Sequence, residues 1–166
     1  SGDGSFATGV SNKSDATSEG VTMYGADNEI DASDYSIVGG QGNKASYSNS
    51  VGIFGYKNEA KDGSDYSTIL GGRDNKIQST ASTILGGRDN RIDVTAGEPV
   101  SFSSLVFGYK NTISDSDHSA IFSGTVNTIK SEIESDDGYG RKPLMHAVIF
   151  AGCRNKITAS NAIVLG

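Results

Sequence analysis

Residues able to do covalent or metal chemistry are few in this chain of 166 amino acids, which has two histidines and one cysteine. His118 and His146 lie far apart in sequence and in different segments of the pattern described below. Asp115, Asp117 and His118 could be drawn around a cation, but Asp115-Ser116-Asp117-His118 falls in a polar return between apolar runs and reads as a solvated turn. Gly71-Gly72-Arg73-Asp74 does not extend to the repeated Gly-Gly-x-Gly-x-Asp of calcium-binding solenoids. Nor does a helical pattern follow it, so the glycines are not expected to cradle phosphate. Cys153 has no partner for an intrachain disulfide and reads as an incidental substitution. Catalytic, cofactor and metal residues are therefore expected to be none. An acyltransferase of the left-handed β-helix type would need a hexapeptide period and a catalytic histidine, and the sequence offers neither.

Binding chemistry is better represented. Directly after a recurring glycine stand Gln41, Tyr56, Arg73, Arg88, Tyr109, Thr125 and Cys153. Exposed Tyr and Arg are the types that dominate binding hot spots, so Tyr56, Arg73, Arg88 and Tyr109 are candidate receptor contacts. The competing reading is a turn column that shields the core and pairs with Asp74 and Asp89.

The elements that must position this column come from a repeat. Ser-Thr-Ile-Leu-Gly-Gly-Arg-Asp-Asn occurs at residues 67–75 and again at 82–90. Around it runs a phased series of Gly-x-x-Asn: Gly9/Asn12, Gly25/Asn28, Gly40/Asn43, Gly55/Asn58, Gly72/Asn75, Gly87/Asn90, Gly108/Asn111, Gly124/Asn127 and Gly152/Asn155. From Gly40/Asn43 onward both members of each pair are expected to be structural turn residues. The asparagines are spaced 16, 15, 15, 17, 15, 21, 16 and 28 residues apart. Self-similarity at a fixed period is the signature of a solenoid. Three residues before the glycine, Ile37, Ile69, Ile84, Leu105, Ile121 and Ile149 are the expected core, each followed by a second apolar residue. Two residues after the asparagine come Ile30, Ala45, Ala60, Ile77, Ile92, Ile113, Ile129 and Ile157. These are strand-length runs bounded by Gly, Asn, Asp and Ser, and no stretch carries a helical stripe. Each rung then reads as strand, turn, strand and polar return. Glycine supplies a positive φ in the turn, and asparagine tolerates the left-handed region and can hydrogen-bond its own backbone. Stacked rungs would also bring the asparagine amides into a ladder.

The expected fold is an all-β parallel roll or solenoid of about 15-residue rungs, a single domain over 1–166. Two interruptions, at about 93–103 and 130–146, map to loops, and in solenoids such loops often carry the binding face. Pro99, Val100 and Phe102 in the first, and Tyr139, Arg141 and Lys142 in the second, are further candidate receptor contacts. Two strands and two turns enclose only a thin core, so one flank is expected to be covered by self-association.

Composition narrows the partners. A net charge of −6 argues against nucleic acid, which needs a clustered basic face. No apolar run approaches the roughly 20 residues of a membrane helix, so direct membrane contact by this segment is not expected. Residue 1 falls inside the pattern with no leader ahead of it, so the sequence is expected to be part of a longer chain.

Asn49-Ser50-Val51-Gly52-Ile53-Phe54-Gly55 and Asn161-Ala162-Ile163-Val164-Leu165-Gly166 resemble the Asn-Ser-Val-Ala-Ile-Gly repeat of YadA-like trimeric autotransporter adhesin heads. The resemblance covers the whole chain at the level of period and Ser-x-apolar-x-Gly pattern. It departs in the doubled glycine, the phased asparagine and the two interruptions. It implies left-handed parallel β-rolls wound side by side as a homotrimer. It also implies a place on the surface of a Gram-negative bacterium, held in the outer membrane by a stalk and anchor not in this sequence. The head would then attach to host cells, extracellular matrix or other bacteria through a protein or glycan receptor. The competing class is a trimeric phage tail-fibre or spike solenoid with a mainly structural role.

Overall fold

The computed structural model describes residues 4–94, 103–131 and 146–166. Described residues form no helix; parallel strands stack in about nine turns of about 16 residues, a β-solenoid. Strands preceding the glycine turn form one ten-stranded sheet, and those following it form a nine-stranded sheet opposite. Strands run from two residues, as in Thr68–Ile69, to five, as in Ile37–Gln41. Rungs on either side of both interruptions still pair directly, Ile92 with Ile113 and Ile129 with Ile157. Both interruptions therefore fall in the return between the second strand of one rung and the first strand of the next.

Two aliphatic columns fill the interior. On the ten-stranded sheet the register Val38, Ile53, Ile69, Ile84, Val106, Ile121, Ile149 is continuous. Facing it are Ile30, Ala45, Ala60, Ile77, Ile92, Ile113, Ile129 and Ile157, all buried. Of the expected core, Ile69, Ile84, Ile121 and Ile149 are interior, but Ile37 is 46% exposed and Leu105 only half-buried. The correction follows from strand geometry. Side chains alternate between faces, and a one-residue offset sends a residue to the other side. Val38 and Val106 stand two residues before their glycine, whereas Ile69, Ile84, Ile121 and Ile149 stand three before theirs. The latter rungs hold one additional residue, a local bulge, between core and turn. Counting back from the glycine therefore names the wrong neighbour in the unbulged rungs.

The asparagines also require a correction. Asn43, Asn58, Asn75, Asn90, Asn111 and Asn127 do stand between the two strands of their rungs, as expected of turn residues, but they are buried, 0–1% exposed, and the tolerance of the left-handed region that favours asparagine there is not used. Asn155, near the end of the stack, is half-buried. Not one of the seven takes a positive φ. The left-handed conformation falls to the residue before each: Gly42, Lys57, Asp74, Asp89, Lys110, Val126 and Arg154. The physical reason is hydrogen-bond supply. An asparagine bent outward would leave the main-chain N–H of the next rung's asparagine buried without an acceptor, whereas one turned inward supplies that acceptor through Oδ1.

Turned inward, the asparagines form a ladder. The Oδ1 of each accepts the main-chain N–H of the asparagine one rung on, at 2.9–3.1 Å from Asn12 to Asn155. Asn43 thus serves Asn58, Asn58 serves Asn75, and Asn111 serves Asn127, each at 2.9 Å. Nδ2 donates backwards within its own turn and onward to a neighbouring glycine carbonyl: Asn90 reaches Gly86 O at 3.0 Å and Gly108 O at 2.7 Å. Turn glycines are required by close approach: a Cβ on Gly72 would lie 2.1 Å from the Gly87 carbonyl oxygen, and Gly72 has φ 85°.

The returns are also built from the inside. Ser33, Ser48 and Ser64 are buried, and the Oγ of Ser18, Ser33 and Ser48 accepts the N–H of the next in the column. A second column, Ser67, Ser82 and Ser104, repeats the arrangement.

Asn90→Ala would strip a buried N–H and a carbonyl of their partners, so urea unfolding is expected to show a loss of about 3 kcal/mol. Lys13→Ala, on an exposed position, should stay within about 0.5 kcal/mol.

Candidate functional site

The first candidate site is the turn edge. Each residue after the turn glycine forms a parallel bridge with its counterpart one rung away, in the order Tyr56, Arg73, Arg88, Tyr109, Thr125, Cys153. The structure therefore brings the four sequence-predicted contacts, Tyr56, Arg73, Arg88 and Tyr109, into one uninterrupted column. Rungs are about 4.8 Å apart, so side chains of neighbours must stack or splay. They stack: the Arg88 guanidinium carbon lies 4.5 Å from the Tyr109 ring centroid. Lys57 and Lys110 each place Nζ 5.2 Å from the ring before them, Tyr56 and Tyr109. Arg73 and Arg88 also pair through Nε with the adjacent Asp74 and Asp89, at 3.3 and 3.4 Å. The pairing with Asp74 and Asp89 that the competing reading expects is therefore present. The aspartates take one edge of each guanidinium, and at Arg88 an aromatic face holds the plane.

The column perturbs its own chemistry. Hydrogen bonding from Arg88, and then from Lys110, lowers the Tyr109 phenol from its ordinary value, and the same contact raises Arg88. Cations, rings and carboxylates in this order could hold planar or anionic groups of a receptor. They make no nucleophile–base pair, and no three His, Cys, Asp or Glu converge among the described residues. A shallow dimple on the nine-stranded sheet, between Lys61, Lys76 and Arg91, is only roughly water-sized. Cys153 ends the column as a free, exposed thiol. Pro99, Val100, Phe102, Tyr139, Arg141 and Lys142 lie outside the described residues.

Sequence reasoning missed the two outer sheet faces and the return edge. On the ten-stranded sheet Tyr24, Phe54, Leu70, Leu85, Phe107, Phe122 and Phe150 occupy successive rungs of one outward column, interrupted at Gly39. Phe122 and Phe150 stack at 5.3 Å, each more than two-fifths exposed. The opposite sheet presents Lys13, Glu29, Lys44, Glu59, Lys76 and Arg91 in register, with Lys44–Glu29 at 3.2 Å and Lys76–Glu59 at 3.0 Å. Period-two alternation carried this signal, but the strands are too short for it to stand out beside the glycines. On the return edge, His118 and His146 stack at 5.4 Å despite their distance in sequence.

What fold and edges define together is a β-solenoid with one apolar face, one charged face and a cation–aromatic turn edge. No family model matches the chain, and no curated protein matches it.

Spectrophotometric titration is expected to find Tyr109 ionising below the ordinary tyrosine range, with Tyr109→Phe used to assign it. Arg88→Ala should raise that midpoint, because the cation that favours phenolate is gone.

Proposed function

We propose that the chain is the head of a homotrimeric surface adhesin that binds a protein or glycan receptor without catalysis. The observation that carries the reading is the outward column of Tyr24, Phe54, Leu70, Leu85, Phe107, Phe122 and Phe150. From Tyr24 to Phe150 the column spans eight strands, seven steps of about 4.8 Å, so it is roughly 34 Å long. Apolar surface of that extent, broken only at Gly39, marks an interaction face. A second and third copy are the occupants that fit it, because a straight, regular column matches an identical column and closed assemblies are the rule. The sheet opposite, with its alternating Lys and Glu, stays in water.

The resemblance to YadA-like heads supports the same arrangement, with the trimer displayed outside a bacterial outer membrane by segments beyond this sequence. Turn edges carrying Tyr56, Arg73, Arg88 and Tyr109 then face outward in three copies, and multiple weak contacts combine by effective concentration. A phage tail fibre would share the trimer. A rod, however, has no need of stacked guanidinium and phenol groups, and their presence favours the binding role.

Light scattering of the whole chain is expected to give a trimer at micromolar concentration. Leu85→Asp with Phe122→Asp should give monomers that keep β-rich circular dichroism. A wild-type monomer would remove the shared-face argument. Beads coated with the trimer should attach to target cells, and Arg73→Ala with Arg88→Ala should reduce attachment severalfold if the turn edge makes the contact.

A further inference from the structure

The return edge carries a second column built on left-handed residues. Gly20 (φ 60°), Tyr35 (φ 53°), Ser50 (φ 56°), Tyr66 (φ 59°), Ala81 (φ 53°), Ser103 (φ 55°), His118 (φ 49°) and Asn161 (φ 58°) occupy it. Main-chain bonds fix the stacking: Tyr35 N–H to Glu19 O, Ser50 N–H to Asp34 O, Tyr66 N–H to Asn49 O, and Ala81 N–H to Asp65 O. Small and short polar residues fit such a corner with least strain, and a bulky ring there is an outlier. Tyr47 (φ 50°) repeats the feature at the neighbouring corner of the intervening rung.

Packing does not offset this strain. Tyr35, Tyr47 and Tyr66 are 66%, 61% and 71% exposed, the most exposed tyrosines among the described residues. The Tyr35 ring leans over Gly20, where a Cβ would come within 2.9 Å of it, and so lies along the edge instead of projecting freely. Tyr35 and Tyr66 are two rungs apart, about 10 Å along the axis. Between them the column holds only Ser50, with Tyr47 to one side.

An aspartate directly precedes each tyrosine. Asp34 Oδ1 accepts the Glu19 N–H at 2.7 Å, and Asp65 Oδ1 accepts the Asn49 N–H at 2.7 Å, which ties both carboxylates to the adjacent rung on this edge. Each carboxylate keeps a second oxygen able to accept a hydroxyl or amide proton.

We infer that this edge binds a neutral β1,4-linked oligosaccharide with equatorial hydroxyls, lying along the solenoid axis over Tyr35 and Tyr66. Such sugars have a flat C–H face that stacks on a phenol ring. Successive units in a β1,4 chain are flipped, so every second unit offers the same face to the same side. Two rungs are about the length of two units, which places alternate sugars on Tyr35 and Tyr66 and the flipped one over Ser50. Asp34 and Asp65 accept its hydroxyl protons and repel sulfated or carboxylated chains. Proline-rich peptides also stack on tyrosine, but they seat in grooves between rings, and this edge is a convex line.

The site rests on the adhesin reading and deepens it by naming one ligand class and one edge, and it is tested without cells. Chitohexaose and cellohexaose are titrated into the whole chain and followed by saturation-transfer NMR and calorimetry, with a heparin hexasaccharide and decaproline as comparators. At least one neutral hexaose is expected to bind and heparin not to. Tyr35→Ala and Tyr66→Ala should each weaken binding about fivefold, and the pair should abolish it. Lys13→Ala, an exposed position on the nine-stranded sheet, should leave it unchanged. Alanine already stands at this corner as Ala81, so the variants are expected to fold, with circular dichroism as the check. The inference is overturned if neither hexaose binds at millimolar concentration, if the double variant binds as wild type does, or if heparin or decaproline is preferred. Sugar binding without cell attachment would keep the site and remove the adhesion role; attachment without sugar binding would do the reverse.

Discussion

Eight main-chain N–H groups along one edge of this solenoid are accepted by an asparagine side chain from the rung below, and the remainder of the structure depends on that ladder. A left-handed residue in each turn, such as Asp74 or Asp89, breaks the regular strand-to-strand pairing. The amide that follows would be buried without an acceptor. Asparagine supplies one, and its own Nδ2 ties the turn carbonyls above and behind. Buried amides left unpaired carry a penalty of roughly 1–3 kcal/mol each, so the ladder fixes the phase of every rung against slippage. Glycine follows from the same constraint. Rungs pressed close enough for the ladder leave no room for a Cβ at Gly72.

With the turns fixed, little aliphatic material is needed. Each rung buries one side chain from each sheet, and serine columns complete the interior on the return side. Because buried positions are few, outward positions decide what the molecule meets. They divide sharply between the sheets. One presents Leu70, Leu85, Phe107, Phe122 and Phe150; the other presents lysine and glutamate alternating from Lys13 to Lys76, followed by Arg91, Thr112 and Thr128. Parallel in-register stacking is the reason: it places like position over like, and a modest preference at one position becomes a continuous face.

The two edges differ for the same reason. At the turn, guanidinium and phenol groups one rung apart stack, and cation–π contact with local aspartates orders them. At the return, tyrosines two rungs apart remain separate and exposed on corners that strain their backbone. Stacked Arg88 and Tyr109 suit a receptor with planar or anionic groups. Spaced Tyr35 and Tyr66 suit a ligand with its own repeat.

Period, strand–turn–strand organisation, the stacking of asparagine on asparagine and the grouping of Tyr56, Arg73, Arg88 and Tyr109 were legible in the sequence. All are set by residues recurring at one offset from a phased glycine, and stacking carries that offset straight into space. Tertiary structure decided which way those residues face. Asn43, Asn58, Asn75, Asn111 and Asn127 point into the interior and leave the left-handed bend to the residue before, because only the stacked rungs supply the buried N–H groups that they accept. Bulges in some rungs shift the inward position by one residue, so Ile37 faces out while Ile69 faces in. Stacking also decided that the serines of the returns are interior and that one sheet face is apolar. Strands of two residues show too little alternation to declare a face, and only a whole stack of them reveals it. His118 and His146 meet for a like reason: sequence records their distance along the chain, but the register of the rungs places them one above the other.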